Sequence, residues 1–381
     1  METLQEIFKK ETIDERILKA FGNRRLILFL GAGISRLMGV PGWDDLSNSL
    51  IEKAFTSYKE RRSILDSIKS SKEKITIAYQ KFHEDGKEEE FFDIFGDAFN
   101  NEKIEQNKTL DNNIYKILSR FKATFLTTNA DSLFEDELGS AVCHTDLDVS
   151  IIQRDNGLAT GHLFYLHGKY TDDLEQNKNM VFTADSYVKK YNNPSTIDFL
   201  KMLLSNDDFT VVFLGYGLNE FELIDYVVTK ANINVDPQKQ KRLFVVEGFL
   251  SNQDEIYRAR KKYFENLNIE LLPYSLDNSG YNELKRLLES WDNELREKAN
   301  IPSLVNDEIE ECVKGFNDIN SNRILHILEN KSCDVQNELK IFNEVVRSDE
   351  CEEWISFFIK KKLYTDKYLE KIIENGNKQW P

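Results

Sequence analysis

Four cysteines in 381 residues, none spaced as C-x-x-C, deny this chain the ligand pattern of a structural zinc. Cys143, Cys312, Cys333 and Cys351 are scattered, and such sparse cysteine fits a reducing compartment better than a disulfide scaffold. No apolar run approaches the roughly 20 residues of a membrane helix, so no membrane association is expected. The first residues, METLQEIFKKETIDERIL, are amphipathic and acidic and lack the apolar centre of a secretory signal. A cytoplasmic location is the resulting expectation. Lysine and arginine form no stripe, and the formal net charge of −16 repels nucleic acid over most of the surface, so direct nucleic-acid binding is not expected. The acidic excess serves solubility or docking to a basic partner. Internal repeats and low-complexity tracts are absent as well. What the chain does have is 40% hydrophobic residues, including 25 Phe and 15 Tyr, enough to bury a sizeable core and to build two domains.

RRLILFL (24–30) is a short continuous apolar run without period-two alternation, the pattern of a strand buried on both faces. Further strands are predicted at ATFLTT (123–128), HLFYLH (162–167), FTVVFLG (209–215), RLFVVEG (242–248) and IELLPY (269–274), several of them separated by helical segments. Buried strands alternating with helices imply an α/β fold, a mostly parallel sheet covered on both sides. Residues 1–22 are predicted as one leading helix. WDDLSNSLIEKAF follows the Pro41-Gly42 turn as a helix capped by Asp44 or Asp45, with an apolar stripe of Leu46, Leu50, Ile51, Ala54 and Phe55. Residues 57–120 are charged, poor in Gly and Pro, and helical throughout. Beyond about residue 295 the strands stop and a helical appendage begins.

Ligands in parallel sheets bind where strands deliver their C-terminal ends, and several such ends here carry polar or glycine-rich sequence. GAGIS follows the first strand: Gly31 and Gly33 would let backbone N–H groups approach a diphosphate, or simply make a tight strand-to-helix turn. Arg36 stands where a G-x-G-x-x-G signature has its third glycine. LTTNAD places Asn129 and Asp131 directly after a strand, where Asn can hold water or a sugar hydroxyl without adding charge, or either residue can cap a helix. FYLHG ends a strand on His167, which can accept a proton near neutral pH or serve as a satisfied structural residue. His162 lies five residues earlier, on the opposite face by alternation, which argues against a two-histidine metal site. FLGYG makes a second glycine turn at Gly215 and Gly217, and Glu247 follows a fifth strand, where it could accept from ribose hydroxyls or face water.

The ordered set GAGIS, TTNAD, LHG, GYG resembles the motif order of sirtuins and sirtuin-like proteins over roughly residues 22–275. The resemblance is greatest to sirtuin-like NAD-hydrolysing proteins of bacterial anti-phage defence, whose G-x-P-x-W is matched by Gly39-Val40-Pro41-Gly42-Trp43. Length and the helical end make it similar to the sirtuin-like subunit that partners a HerA-type ATPase. The resemblance implies a Rossmann-like domain over 1–294, with a helical insertion at about 57–120 lying over the pocket, and a C-terminal helical domain over 295–381. It implies NAD as substrate and no metal: Gly31, Ala32, Gly33 and Ser35 along the diphosphate, Gly215, Gly217 and Glu247 toward the adenine-side ribose, Asp131 at the nicotinamide end, and Asn129 and His167 as the catalytic pair. Two departures put protein deacylation in doubt. The zinc-binding cysteine pairs are missing, and Gly42-Trp43-Asp44 replaces Asp-Phe-Arg after the proline position.

The reaction so implied is hydrolysis of NAD to nicotinamide and ADP-ribose in an abortive-infection response. An unrestrained NADase would damage its own cell, so control by homo-oligomerisation or by a partner ATPase is expected. Two other readings remain open: a nucleotide-binding regulator that senses NAD or ADP-ribose without turnover, and a scaffold that assembles an ATPase ring.

Overall fold

The computed structural model describes residues 3–9, 12–121, 123–138, 142–147, 161–205, 209–216, 242–298, 309, 312–317, 320–321, 324–325, 328, 335–361 and 363. Gly217 and Cys333 lie outside them. The first of seven strands, β1 (Leu26–Leu30), sits at the centre of one sheet. The others are β2 (Thr124–Thr127), β3 (Cys143–His144), β4 (Leu163–Tyr165), β5 (Thr210–Leu214), β6 (Leu243–Phe249) and β7 (Ile269–Ser275). Their order is β3-β4-β2-β1-β5-β6-β7, and every neighbouring pair is parallel. This is the parallel α/β sheet that the apolar runs predict, in the Rossmann-like architecture that the resemblance implies.

The unbroken hydrophobicity of β1 has a direct cause. Leu26, Leu28 and Leu30 point into one core and Ile27 and Phe29 into another, so neither face of the strand meets water. Each such side chain contributes about 1.5–3 kcal/mol on full burial. The first core is closed by α2 (Glu15–Gly22), α3 (Ala32–Met38), α9 (Ile114–Leu118) and the helix Glu283–Lys298; the second by α1 (Leu4–Phe8) and the helices Pro194–Ser205 and Asp254–Glu265. The helix Glu283–Lys298 runs past residue 294, and Leu295 is fully buried in the first core.

The leading segment is two helices rather than one, because the Asp14 side chain accepts from the Arg16 N–H and starts α2 afresh. Helix α4 (Trp43–Ala54) is capped by Gly42, not by Asp44 or Asp45, which sit in its first turn. Strand β3, only two residues long, had no signature in the sequence. The helical insertion begins earlier than residue 57. α4 packs with α6 (Ser71–Glu84) and α7 (Glu88–Phe99) around Leu50, Ile75, Phe82, Phe91 and Phe95, with α5 (Tyr58–Ser67) on its edge. By contrast Ile104, of α8 (Glu102–Lys108), and Ile114 and Ile117, of α9, return to the sheet core. A fourth cluster, with Ile309, Cys312, Ile341, Trp354 and Phe358 among its members, draws only on described residues from 309 onward.

Candidate functional site

Register decides where the motifs meet. Leu30 pairs with Thr127 of β2 and Leu214 of β5, and Thr127 pairs with Tyr165 of β4. Four strands therefore leave the sheet at one level, and the next residues of each are Gly31, Thr128-Asn129, Leu166-His167 and Gly215. The chain passes from β1 to β2 on one side and later returns to β5 on the other, so this edge is a topological switch point, where open α/β sheets form a crevice.

The two glycine turns pack on each other. A Cβ on Gly33 would stand 2.6 Å from the Gly215 carbonyl oxygen, and one on Gly215 the same distance from the Ile34 nitrogen. Gly215 also adopts φ +67°, which side chains rarely tolerate. The Gly33 N–H donates to the Gly215 carbonyl at 2.8 Å, and the Gly31 N–H to the Leu214 carbonyl at 2.9 Å. The expectation that these N–H groups face a diphosphate is thus corrected: both are spent joining β1 to β5, and the missing side chains make room for the opposite turn.

Ser35, on α3, turns its hydroxyl inward and donates to Asp131 Oδ2 at 2.6 Å. The Tyr115 hydroxyl, from α9, lies 3.0 Å from Ser35 Oγ and 3.3 Å from Asp131 Oδ1. Burial raises the Asp131 pKa against the opposing pull of the Ser35 bond, and burial with the Asp131 charge raises that of Tyr115. Ser35 and Asp131 therefore brace each other behind the strand ends. Asn129, also buried, donates from Nδ2 to the Gly31 carbonyl at 3.0 Å, bonds Tyr115, and has its own N–H held by Thr127 Oγ1 at 3.0 Å. Its amide is thereby fixed between the ends of β1 and β2. Thr128, the preceding residue, places its hydroxyl 3.2 Å from that of Tyr216 in the second glycine turn.

His167 reaches the same place from β4. It is 5% exposed, and the Thr128 backbone beside the ring favours its protonated form. Nε2 lies 2.5 Å from the Tyr191 hydroxyl. Tyr187 and Tyr191, one turn apart on the helix Ala184–Tyr191, meet the imidazole edge-on at 5.0 and 5.9 Å between ring centres. The Lys72 ammonium, from α6, lies 4.1 Å from the centre of the Tyr187 ring. Burial, then the charges of Lys190 and Lys72, push the His167 pKa down to about 3, so the imidazole is neutral at physiological pH. The helices α4, α6 and α7 pack beside this edge: Ala130, next to Asn129, and Met180 and Phe182, beyond His167, share their hydrophobic cluster.

Asn129, Asp131, Ser35, His167, Gly31, Ala32, Gly33 and Gly215 are thus gathered at one edge, while Glu247 is committed elsewhere. Its two oxygens accept from Arg260 Nε at 3.1 and 3.0 Å, so its charge is met by the helix Asp254–Glu265. Gly217 falls outside the described residues. His162 points away from His167 and bonds His144 of β3, with 2.8 Å between ring nitrogens. Among the described residues, no group of three or more His, Cys, Asp or Glu is placed to hold a metal ion, and no helix is long and apolar enough to cross a membrane. A cavity of about 470 Å³ between Lys53, Glu90, Asp97 and Tyr170 lies within the insertion and takes none of its lining from the strand-end cluster. Sequence reasoning missed Tyr115, Tyr187 and Tyr191. Nothing along the chain links them to strand ends; only the four-residue spacing of Tyr187 and Tyr191 hinted at a shared helix face.

Part of the sequence that builds this edge has a counterpart among known proteins. Residues 123–272 match the SIR2-like domain. The match opens at β2 and includes Asn129, Asp131, His167, Gly215 and Glu247. The chain is also similar to Defense-associated sirtuin 2 of Bacillus subtilis, at 26% identity over 329 residues. That alignment covers 82% of this chain and 30% of the relative, so the chain spans less than a third of its length. Residues 123–272, from β2 into β7, are therefore similar in sequence to the SIR2-like domain.

Proposed function

We propose that this chain hydrolyses the nicotinamide–ribose bond of NAD, releasing nicotinamide and ADP-ribose, in defence against phage. The observation that carries the reading is the meeting of Asn129 and His167. The register of β2 with β4 sets His167 beside Thr128, the residue next to Asn129, while the Asn129 amide bonds the Gly31 carbonyl of the first glycine turn. The similarity to a SIR2-like domain supports NAD as the dinucleotide, and the name of the Bacillus relative supports the defence role.

The side chains suit this chemistry. Nicotinamide is already a cationic leaving group and needs no general acid, and the ribosyl transition state gathers positive charge. A neutral amide and a neutral imidazole can orient water and ribose hydroxyls without setting a further cation beside that charge. Orientation of water against the anomeric carbon, with general-base help worth about 10² to 10⁴ in rate, supplies the acceleration. Asp131 holds the Asn129 side of the cleft through Ser35 and Tyr115. Control by oligomerisation or by a partner such as a HerA-type ATPase belongs to the same proposal, as does action inside the cytoplasm.

The test is chromatography of NAD, nicotinamide and ADP-ribose after incubation with the pure chain, alone and with the product of its neighbouring gene. Asn129→Ala and His167→Ala are expected to abolish nicotinamide release with unchanged circular dichroism; full activity in both removes the assignment. One observation favours a second reading, binding without turnover: His167 Nε2 and the glycine N–H donors are already engaged. Calorimetric NAD binding with no product over hours, partner present, would establish that reading instead.

A further inference from the structure

His167 is the residue expected to exchange a proton, yet neither ring nitrogen faces an open cleft. Nε2 is held at 2.5 Å by the Tyr191 hydroxyl. A proton-accepting Nε2 requires the tautomer with the proton on Nδ1, the form in which Nε2 accepts from the Tyr191 hydroxyl. In this tautomer Tyr191 donates to His167. A phenol that donates its proton still has two lone pairs with which its oxygen can accept.

Resting on the NAD-hydrolysis reading, we propose that Tyr191 is a catalytic residue, the proton relay through which His167 takes a proton from a hydroxyl or water in the cleft. In the step, the O–H bond of the attacking water or ribose hydroxyl breaks and its proton moves to the Tyr191 oxygen. The Tyr191 proton passes to Nε2, giving an imidazolium protonated at both nitrogens. Tyr191 ends the step as a neutral phenol, so charge and protons balance, and release of the Nε2 proton to solvent by the reverse route resets the pair.

The surroundings fit a relay better than a direct base. The imidazole is walled by Tyr187 and Tyr191, and Lys72 of the insertion closes over Tyr187, so a second oxygen at Nε2 requires displacement of the phenol. Lys190 and Lys72 lie near enough to disfavour an imidazolium. A dinucleotide brings a dianionic diphosphate into the cleft, which offsets those ammonium charges and makes His167 a competent acceptor only when substrate is present.

Tyr191→Phe keeps the ring that packs against His167 and removes only the hydroxyl. In the full chain, with its partner if that is needed for turnover, kcat is expected to fall about 100-fold while KM for NAD stays within a factor of two. A kcat that is unchanged overturns the relay, and one that rises shows instead that the phenol occludes the histidine. A second readout needs no turnover: long-range proton–nitrogen spectra of ¹⁵N-histidine-labelled protein, with His167→Gln used for assignment. His167 is expected as the Nδ1-protonated tautomer, with an Nε2 resonance that shifts in Tyr191→Phe. An Nε2-protonated ring, or an Nε2 resonance indifferent to the substitution, sinks the proposal. A wild-type chain that consumes no NAD under any of these conditions refutes the reaction, while the spectra still decide whether Tyr191 donates to His167.

Discussion

His167 shows how one residue's surroundings reset its chemistry. An exposed imidazole titrates near 6.5; here burial and two lysines bring it to about 3. Between those values the unfolded chain binds a proton that the folded chain refuses, so falling pH favours unfolding. The loss is at most about 1.4 kcal/mol for each pH unit below 6.5 and levels off near 3. Asp131 works in the opposite sense: its raised pKa lets the folded chain bind a proton first as the solution becomes acid. His167→Gln removes the first effect and keeps the second. The Tm advantage of wild type over His167→Gln, followed by calorimetry from pH 7 to 4, is therefore expected to shrink as pH falls. A difference that is flat with pH would show that the imidazole is not held neutral. At this scale the sequence was informative for Asn129, Asp131 and His167, because a polar residue directly after an apolar strand stands out. It was silent on Tyr115 and Tyr191, whose roles depend on which helix faces which strand end.

Elements carry the next constraint. β1 and β5 are joined through two glycine turns so close that each fills the space a side chain would need. Gly33→Ala would place a methyl 2.6 Å from the Gly215 carbonyl oxygen and 2.8 Å from its Cα, both backbone atoms that cannot swing aside. We expect a loss of about 1–3 kcal/mol, the usual cost of overpacking, seen as a lower midpoint in urea. Gly215→Ala adds the strain of a positive φ and should cost more. A midpoint unmoved by Gly33→Ala would mean that the turns are not in contact. The same contact explains what the sequence could and could not tell. GAGIS and GYG announced two glycine corners, and the apolar runs announced six of the seven strands, because double burial leaves an unbroken hydrophobic signature. That the glycines serve first each other was invisible, since they are some 180 residues apart in the chain. β3 escaped because two half-buried residues make no pattern, and the break before α2 escaped because Asp14 reads equally well inside an acidic helix.

At the scale of the molecule, hydrophobic clustering divides the described residues into four groups, three of which meet around the strand-end site. The two sheet cores supply its floor, and the insertion core reaches it through Ala130, Met180 and Phe182. The fourth group, from Ile309 to Phe358, contributes no residue to the other three. A chain ending at Lys298 keeps every strand, the insertion and the whole of the helix that buries Trp291 and Leu295. Since folding cooperativity follows shared burial, such a truncation should fold by itself. Its circular dichroism is expected to match a parallel α/β sheet, and its main calorimetric transition to lie within a few degrees of the full chain's. NAD binding should persist, while any dependence of turnover or assembly on the removed helices should vanish. Should the truncated chain fail to fold, or lose NAD binding while folded, the last 83 residues (381 − 298) would have to be counted as part of the catalytic body and not as a separable unit.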